Sequence, residues 1–229
     1  MRTAPTIPAW KKWLSYLMEL HVESAPSPYN PHLYVSLSRG RYQLSTANAI
    51  YSHGDLYTNF TSTFRQINLD QLPGKRILVL GLGLGSVPYM LETTFGRTFR
   101  YTAVEIDESV IYLAEKYVLS ELRSQIEVVQ ADAHAFVLQN ESLYDLIAMD
   151  VFVDDEVPAK FESQRFLTRL RESLQPGGLL LYNRLARTQD DKSGASRFLE
   201  SNFRPVFPEA GYLEIDGNWM LYNNPSYLI

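Results

Sequence analysis

The sequence predicts an α/β protein. An open, mostly parallel sheet carries helices on both faces, ends in an antiparallel hairpin and is preceded by a small antiparallel β element. Three observations lead there. From Lys75 onward, short apolar runs alternate with amphipathic stretches, the rhythm of repeated βα units. The first of these runs, Ile77–Leu80, is continuous rather than alternating, which suits a strand buried on both faces. Residues 1–54 instead alternate apolar and polar side chains between loops rich in helix and strand breakers, the pattern of short antiparallel strands.

In order, Pro8–Ser15 reads as a short helix with Trp10, Trp13 and Leu14 on one face. Met18, Leu20 and Val22 alternate with polar residues as in a strand, and Ser24–Pro31 is a loop. Leu33, Val35 and Leu37 mark another strand, Arg39-Gly40 a hairpin turn, and Tyr42–Thr46 and Ala49–Tyr51 two further strands. Asp55–Ile67 then reads as a helix with Leu56, Phe60, Phe64 and Ile67 on one stripe. A division follows: 1–54 as the N-terminal β element, 55–229 as the larger α/β domain.

The segment Lys75–Asp107 organises that domain as strand, glycine turn, helix, strand. Gly81, Gly83 and Gly85 follow the first strand at once, and such a turn needs positive φ or close backbone approach. A bare turn at a helix N-terminus offers amides to a ligand. Glu105 ends the next strand about twenty residues on, where an acid accepts from both hydroxyls of a ribose. The dinucleotide fingerprint wants its third glycine where Ser86 stands, and the Lys-Ser/Thr of a P-loop is absent. The remaining elements are a helix Glu108–Val118, a strand Ile126–Gln130, a helix opened by Ala131-Asp132-Ala133 and a strand Tyr144–Val151. A helix Lys160–Leu174 ends at Pro176-Gly177-Gly178, and a strand Leu179–Tyr182 and a helix Ser193–Phe203 follow. Tyr212–Ile215 and Trp219–Tyr222 form the closing hairpin around Asp216-Gly217-Asn218.

Composition narrows the function. With 229 residues, 45% of them apolar and 13% aromatic, the chain has room for one large domain plus a small element. A net charge of −5 gives no reason to expect nucleic-acid or anionic-membrane binding. The absence of cysteine excludes disulfides, zinc–thiolate sites and a cysteine nucleophile. No apolar run approaches a membrane span and no signal core follows Arg2, so the expected location is cytoplasmic.

Four elements in one order, GLGLG at 81–85, VEID at 104–107, ADAHAF at 131–136 and YDLIAMD at 144–150, carry a resemblance. With the GRYQLSTANAIYSHGDLY stretch before them, they resemble the spermidine synthase (polyamine aminopropyltransferase) family within the class I S-adenosylmethionine-dependent methyltransferases. The resemblance covers roughly residues 30 to 185. It implies a Rossmann-like class I methyltransferase fold, with S-adenosylmethionine or its decarboxylated form as cofactor and no metal. It implies that Gly81, Leu82, Gly83 and Gly85 form the donor loop, and that Glu105, beside Ile106, holds the ribose. It also implies that Asp132 and the Ala133 amide read the adenine, that Asp150 is the catalytic aspartate, and that Tyr57 and Asp154 face the acceptor. It suggests a homodimer.

The same residues have plainer readings. Asp132 is also a good helix N-cap, and Asp150 a good solvated strand end. Asp154-Asp155-Glu156 reads as a solvated loop rather than a metal site, His134 as a helix residue, and His53 as a turn residue. Departures matter too. Leu84 stands where aminopropyltransferases carry the glycine-motif aspartate, so an aminopropyl ammonium would meet an isobutyl group. Thr58 replaces a family glutamine, and the signature after the fourth strand is shifted. The reading that follows is methyl transfer to a small acceptor, without nucleic-acid or membrane partners. The alternatives are aminopropyl transfer to a diamine, or a catalytically silent nucleoside-binding module. The N-terminal strands and Tyr57 are expected to cover the mouth of the site.

Overall fold

The computed structural model describes residues 7–47, 49–152 and 157–229. A six-residue helix α1 (Ala9–Leu14) leads into strands β1 (Leu20–Ala25), β2 (Leu33–Ser38), β3 (Arg41–Ser45) and β4 (Ile50–Ser52). These form a four-stranded antiparallel sheet in chain order. Alternation sets its buried face: Leu33, Val35 and Leu37 are each at most 2% exposed. The β2–β3 hairpin turns on Arg39 and Gly40, both at positive φ, as a two-residue turn between twisted strands requires.

After a 3₁₀ turn (Gly54–Leu56) and helix α2 (Thr58–Phe64), the chain builds its second sheet. Its first βα units are β5 (Arg76–Leu80), α3 (Ser86–Thr93), β6 (Arg100–Glu105), α4 (Glu108–Tyr117), β7 (Gln125–Gln130) and α5 (Ala133–Gln139). Next come β8 (Tyr144–Met149), α6 (Gln164–Glu172), β9 (Leu174–Leu185), α7 (Gln189–Phe198), β10 (Gly211–Ile215) and β11 (Asn218–Tyr222). Seven strands lie in the order β10-β11-β9-β8-β5-β6-β7. β5 is parallel to both β6 and β8, and β11 runs antiparallel between β9 and β10. The winding direction reverses between β5 and β8, the switch point at which open α/β sheets bind ligands.

The apolar run of β5 feeds both faces. Ile77 and Val79 pack with Phe60, Phe64 and Leu91, while Leu78 and Leu80 pack with Phe166, Leu170 and Phe203. The four apolar β5 side chains, Ile77–Leu80, are at most 1% exposed, which is why the strand reads as continuous rather than alternating. The N-terminal sheet is fastened to the larger one by polar contacts. Asp107 accepts from Ser27 Oγ (2.5 Å) and Asn30 Nδ2 (3.0 Å), and Glu23 accepts from Lys116 Nζ (2.8 Å) and from the Tyr117 hydroxyl.

Three expectations about elements need correction. The helix expected over 55–67 breaks into the 3₁₀ turn and α2, with Tyr57 at the junction. The helix expected from Lys160 begins as a 3₁₀ turn (Ala159–Glu162), and α6 starts only after Ser163, whose hydroxyl accepts from the Phe166 amide at 3.3 Å. Pro176-Gly177-Gly178 does not separate helix from strand. It lies inside β9, where the register against β8 slips between Tyr144 and Leu146, so the breakers form a bulge. Among the described residues no helix is long and apolar enough to cross a membrane.

One buried acid fixes the sheet's outer edge. Glu92 on α3 is 7% exposed and accepts from the Arg123 amide (2.9 Å), the Ser124 amide (2.9 Å) and Ser124 Oγ (2.7 Å). Burial pushes its pKa up, but these donors outweigh burial and hold it below the usual value. A depressed folded-state pKa contributes stability above the unfolded value and loses it as pH falls through the folded one. Glu92→Gln should therefore lower stability at pH 7 by about 1–3 kcal/mol in urea unfolding, with the deficit shrinking as pH falls through the depressed pKa. A variant as stable as wild type at pH 7 would show that the clamp contributes nothing.

Candidate active site

The site begins where β5 ends. Gly81 has φ +87°, and a Cβ there would lie 2.3 Å from the Asp150 carbonyl oxygen, so only glycine fits. Gly83 (φ +54°) passes close to Ser52, where a Cβ would sit 3.1 Å from the serine Cβ. Gly85 opens α3, and its bare α-carbon makes room for Leu119 rather than for a ligand. Between these glycines Leu82 and Leu84 turn into the core, 4% and 1% exposed. This corrects one expectation: no isobutyl group at Leu84 faces a ligand. The acid is missing from the turn, and Leu84 is not among the residues that line the cavity.

Glu105 reaches back under this turn. Its Oε2 accepts from the amides of Leu82 (3.1 Å) and Gly83 (3.4 Å), and its Oε1 from those of Ile106 (2.9 Å) and Asp107 (3.1 Å). Burial pushes its pKa up while these amides oppose the rise. Asp132 N-caps α5, with Oδ1 accepting from the Ala135 amide at 2.9 Å, and Oδ2 pairs with Lys160 Nζ. Burial raises its pKa, but the lysine and the amide outweigh burial and hold it low. Asp132 thus has its structural use and still lines the cavity.

Asp150 is the first residue past β8, next to Gly81 across the switch point. Its Oδ1 accepts from Asn183 Nδ2 at 2.8 Å and from the Tyr57 hydroxyl at 3.2 Å. Among the described residues no group donates to Oδ2. Burial without a cationic partner pushes the Asp150 pKa up to about 6, with the Asn183 and Tyr57 hydrogen bonds limiting the rise. Burial and the adjacent carboxylate also push the Tyr57 phenol well above its ordinary value. Tyr57 reaches Asp150 because the chain breaks at Gly54–Leu56, where Asp55 is held bidentately by Arg41 at 2.6 and 3.2 Å.

These residues surround one cavity of about 400 Å³ at the carboxyl ends of the strands. Gly81, Gly83, Glu105 and Ile106 line one part of it, Asp132 and Ala133 another, and Asp150 and Tyr57 a third. Leu82 and Gly85 do not line it, and Asp154 lies outside the described residues. Tyr29, Asn30 and Tyr51 of the N-terminal element also line it, which places that element at the site. His53 and His134 take structural places: the first pairs with the Ser38 carbonyl (3.1 Å), the second stacks on Phe166. Sequence reasoning missed Asn183 and Asn218. The signal for Asn183 was readable, a lone amide directly after the apolar run Leu179–Tyr182. Asn218 was masked by its turn-like setting after Asp216-Gly217.

Comparison with known proteins places the chain in a family and a fold. The chain is 29% identical over 139 residues to a probable polyamine aminopropyl transferase of Bifidobacterium longum (strain NCC 2705), covering 61% of this chain and 30% of that one. It is 32% identical over 166 residues to an eEF1A lysine and N-terminal methyltransferase homolog of Drosophila pseudoobscura pseudoobscura, covering 67% of this chain and 24% of that one. The chain thus spans less than half the length of these curated relatives. The crystal structure of human methyltransferase-like protein 13 in complex with SAH aligns with a TM-score of 0.55 at 26% identity, covering 68% of this chain and 75% of that one. The spermine/spermidine synthase domain itself matches residues 66–214, a span that includes the glycine turn, Glu105, Asp132 and Asp150. The chain belongs to the spermine/spermidine synthase domain family, on its Rossmann-like methyltransferase fold.

Proposed function

We propose that this chain is an S-adenosylmethionine-dependent transferase that methylates a small acceptor. The observation that carries the reading is the Asp150 carboxylate, whose Oδ2 has no donor among the described residues, set beside the bare backbone of Gly81 in the cavity. The cavity's size falls within the range of small-molecule sites. Its polar groups suit the donor's nucleoside half. Glu105 would accept from the ribose hydroxyls in place of its longer bonds from the Leu82 and Gly83 amides (3.1 and 3.4 Å), and Asp132 with the Ala133 amide would meet the adenine edge. When bound, S-adenosylmethionine supplies an electrophilic methyl group on a sulfonium. Asp150, ionised at pH 7, would take the acceptor's proton at Oδ2 as the nucleophile attacks, while Tyr57 and Asn183 hold Oδ1.

The acids of the site favour methyl over aminopropyl transfer. Among the described residues, Glu105 is engaged by four amides, Asp107 by Ser27, Asn30 and the Ser109 amide, and Asp132 by Lys160. Of these described acids, Asp150 alone has an oxygen to which no described group donates. A decarboxylated donor and a diamine would bring several ammonium groups, each costly to desolvate without a partner. S-adenosylmethionine carries its own carboxylate beside its ammonium. Aminopropyl transfer remains the second reading, favoured by the likeness to the Bifidobacterium longum protein.

Three outcomes test this. Glu105→Ala should weaken S-adenosylhomocysteine binding about ten-fold or more in titration calorimetry, the size of a lost charge-assisted hydrogen bond. Undiminished affinity in a folded variant removes Glu105 from the site. With an acceptor found by screening, turnover should rise with pH through about 6, since only ionised Asp150 accepts a proton. It should fall roughly ten-fold per unit below that, and Asp150→Asn should abolish the dependence. A flat profile in wild type speaks against Asp150 as base. Finally, donors assayed side by side with putrescine should show tighter binding of the carboxylated donor. Spermidine formed at roughly 1 s⁻¹ or faster from the decarboxylated donor would reverse the ranking.

A further inference from the structure

Asp150 is held from the neighbouring strands, not from its own loop. Met149 pairs with Tyr182, so Asn183 stands one step on, beside Asp150. β9 runs past the end of β8 to Leu185, and there β11 covers it: Asn218 pairs with Leu185, two residues from Asn183 and on the same face. The result is a chain of side chains. Asn218 Nδ2 donates to Asn183 Oδ1 at 2.9 Å, and Asn183 Nδ2 donates to Asp150 Oδ1 at 2.8 Å.

This chain has a direction. If the Asn183 amide flipped, its oxygen would face a carboxylate oxygen and its NH₂ would face the NH₂ of Asn218. The carboxylate sets which end of Asn183 meets it, and Asn218, by donating to the Asn183 oxygen, holds the amide in that orientation. Both amides are buried, 1% and 6% exposed, in a sheet whose neighbours Leu181 and Leu221 are fully apolar and 0% exposed. Packing alone would be served as well by leucine, without two amides to desolvate. Among the described residues, the groups that touch the Asp150 carboxylate are neutral: Asn183 from β9 and Tyr57 from the start of α2. The described charged groups that share the cavity with it are Glu105, Asp107, Asp132, Lys160 and Arg187.

We infer that Asn183 and Asn218 are positioning residues for the reaction. Asn218 orients Asn183, and Asn183 with Tyr57 occupies Oδ1 so that Oδ2 is left for the acceptor. The inference rests on the reading of Asp150 as the proton acceptor, and it goes beyond that reading by assigning the control of this carboxylate to strands β9 and β11. Removing the Asn183 donor leaves the carboxylate charge with the Tyr57 hydroxyl alone, so its proton affinity must rise. Removing Asn218 frees Asn183 to rotate and should act in the same direction, more weakly.

The test follows the carboxylate itself. In the full chain carrying ¹³C-labelled aspartate, the Asp150 resonance is identified by its loss in Asp150→Asn and titrated by NMR. Asn183→Leu should move the midpoint up by about one unit or more, a ten-fold or greater gain in proton affinity. Asn218→Leu should move it the same way by less. Asn218→Ser, smaller and still polar, is read identically should leucine prevent folding. S-adenosylhomocysteine affinity should stay within about two-fold, because neither asparagine stands at the nucleoside end. An unmoved midpoint, or a midpoint that moves only together with lost nucleoside affinity, overturns the inference. The titration needs no turnover, so it stands or falls separately from the Asp150→Asn activity test.

Discussion

The structure depends on how closely β8 can approach β5 at the point where both strands end. The Asp150 amide donates to the Leu80 carbonyl at 2.8 Å, and the Gly81 amide to the Val104 carbonyl of β6 at 3.0 Å. These two bonds lock the ends of β6, β5 and β8 together. They also press the Asp150 carbonyl onto Gly81, where a Cβ would sit 2.3 Å from the carbonyl oxygen. Glycine at this position lets Glu105 and Asp150 flank one cavity instead of two separate surfaces. The apolar run of β5 supplies the rigidity, since its buried side chains anchor the strand on both faces.

On that frame the described acids of the cavity are held in three different ways, and the difference is chemical. Backbone amides hold Glu105, a lysine and a helix cap hold Asp132, and neutral side chains hold Asp150. An ammonium stabilises a buried carboxylate far more than an amide or a phenol does. Burial raises the proton affinity of both Glu105 and Asp150, and Asp150, opposed only by neutral side chains, reaches about 6, where a group can both lose and accept a proton at working pH. The N-terminal sheet takes part through the same polar economy. Ser27 and Asn30 close on Asp107, two residues from Glu105, and carry Tyr29 to the cavity lining.

Much of this was legible in the sequence, for local reasons. The glycine turn, the acid that ends β6 and the aspartate after β8 each close an apolar run directly, so periodicity locates them. What escaped depends on distant partners. Tyr57 was named from the resemblance, but the break before it was read as helix, and only the Arg41–Asp55 pair, 14 residues apart, explains that break. Pro176-Gly177-Gly178 carries every mark of a boundary, yet pairing with β8 draws it into a strand as a bulge. Leu84 was read by its motif position, whereas its burial follows from the backbone turning at the glycines on either side. Asn183 and Asn218 lie 35 residues apart, and only the antiparallel return of β11 makes them neighbours.

The central claim is that one cavity joins a nucleoside half at Glu105 to a proton-accepting half at Asp150. A crystal structure with S-adenosylhomocysteine bound tests it most directly. The account predicts the ribose hydroxyls within hydrogen-bonding distance of Glu105, and the thioether sulfur lying over the Gly81–Gly83 backbone and facing the space beside Asp150 Oδ2. A ligand bound elsewhere, or bound here with its sulfur turned away from Asp150, would contradict the account.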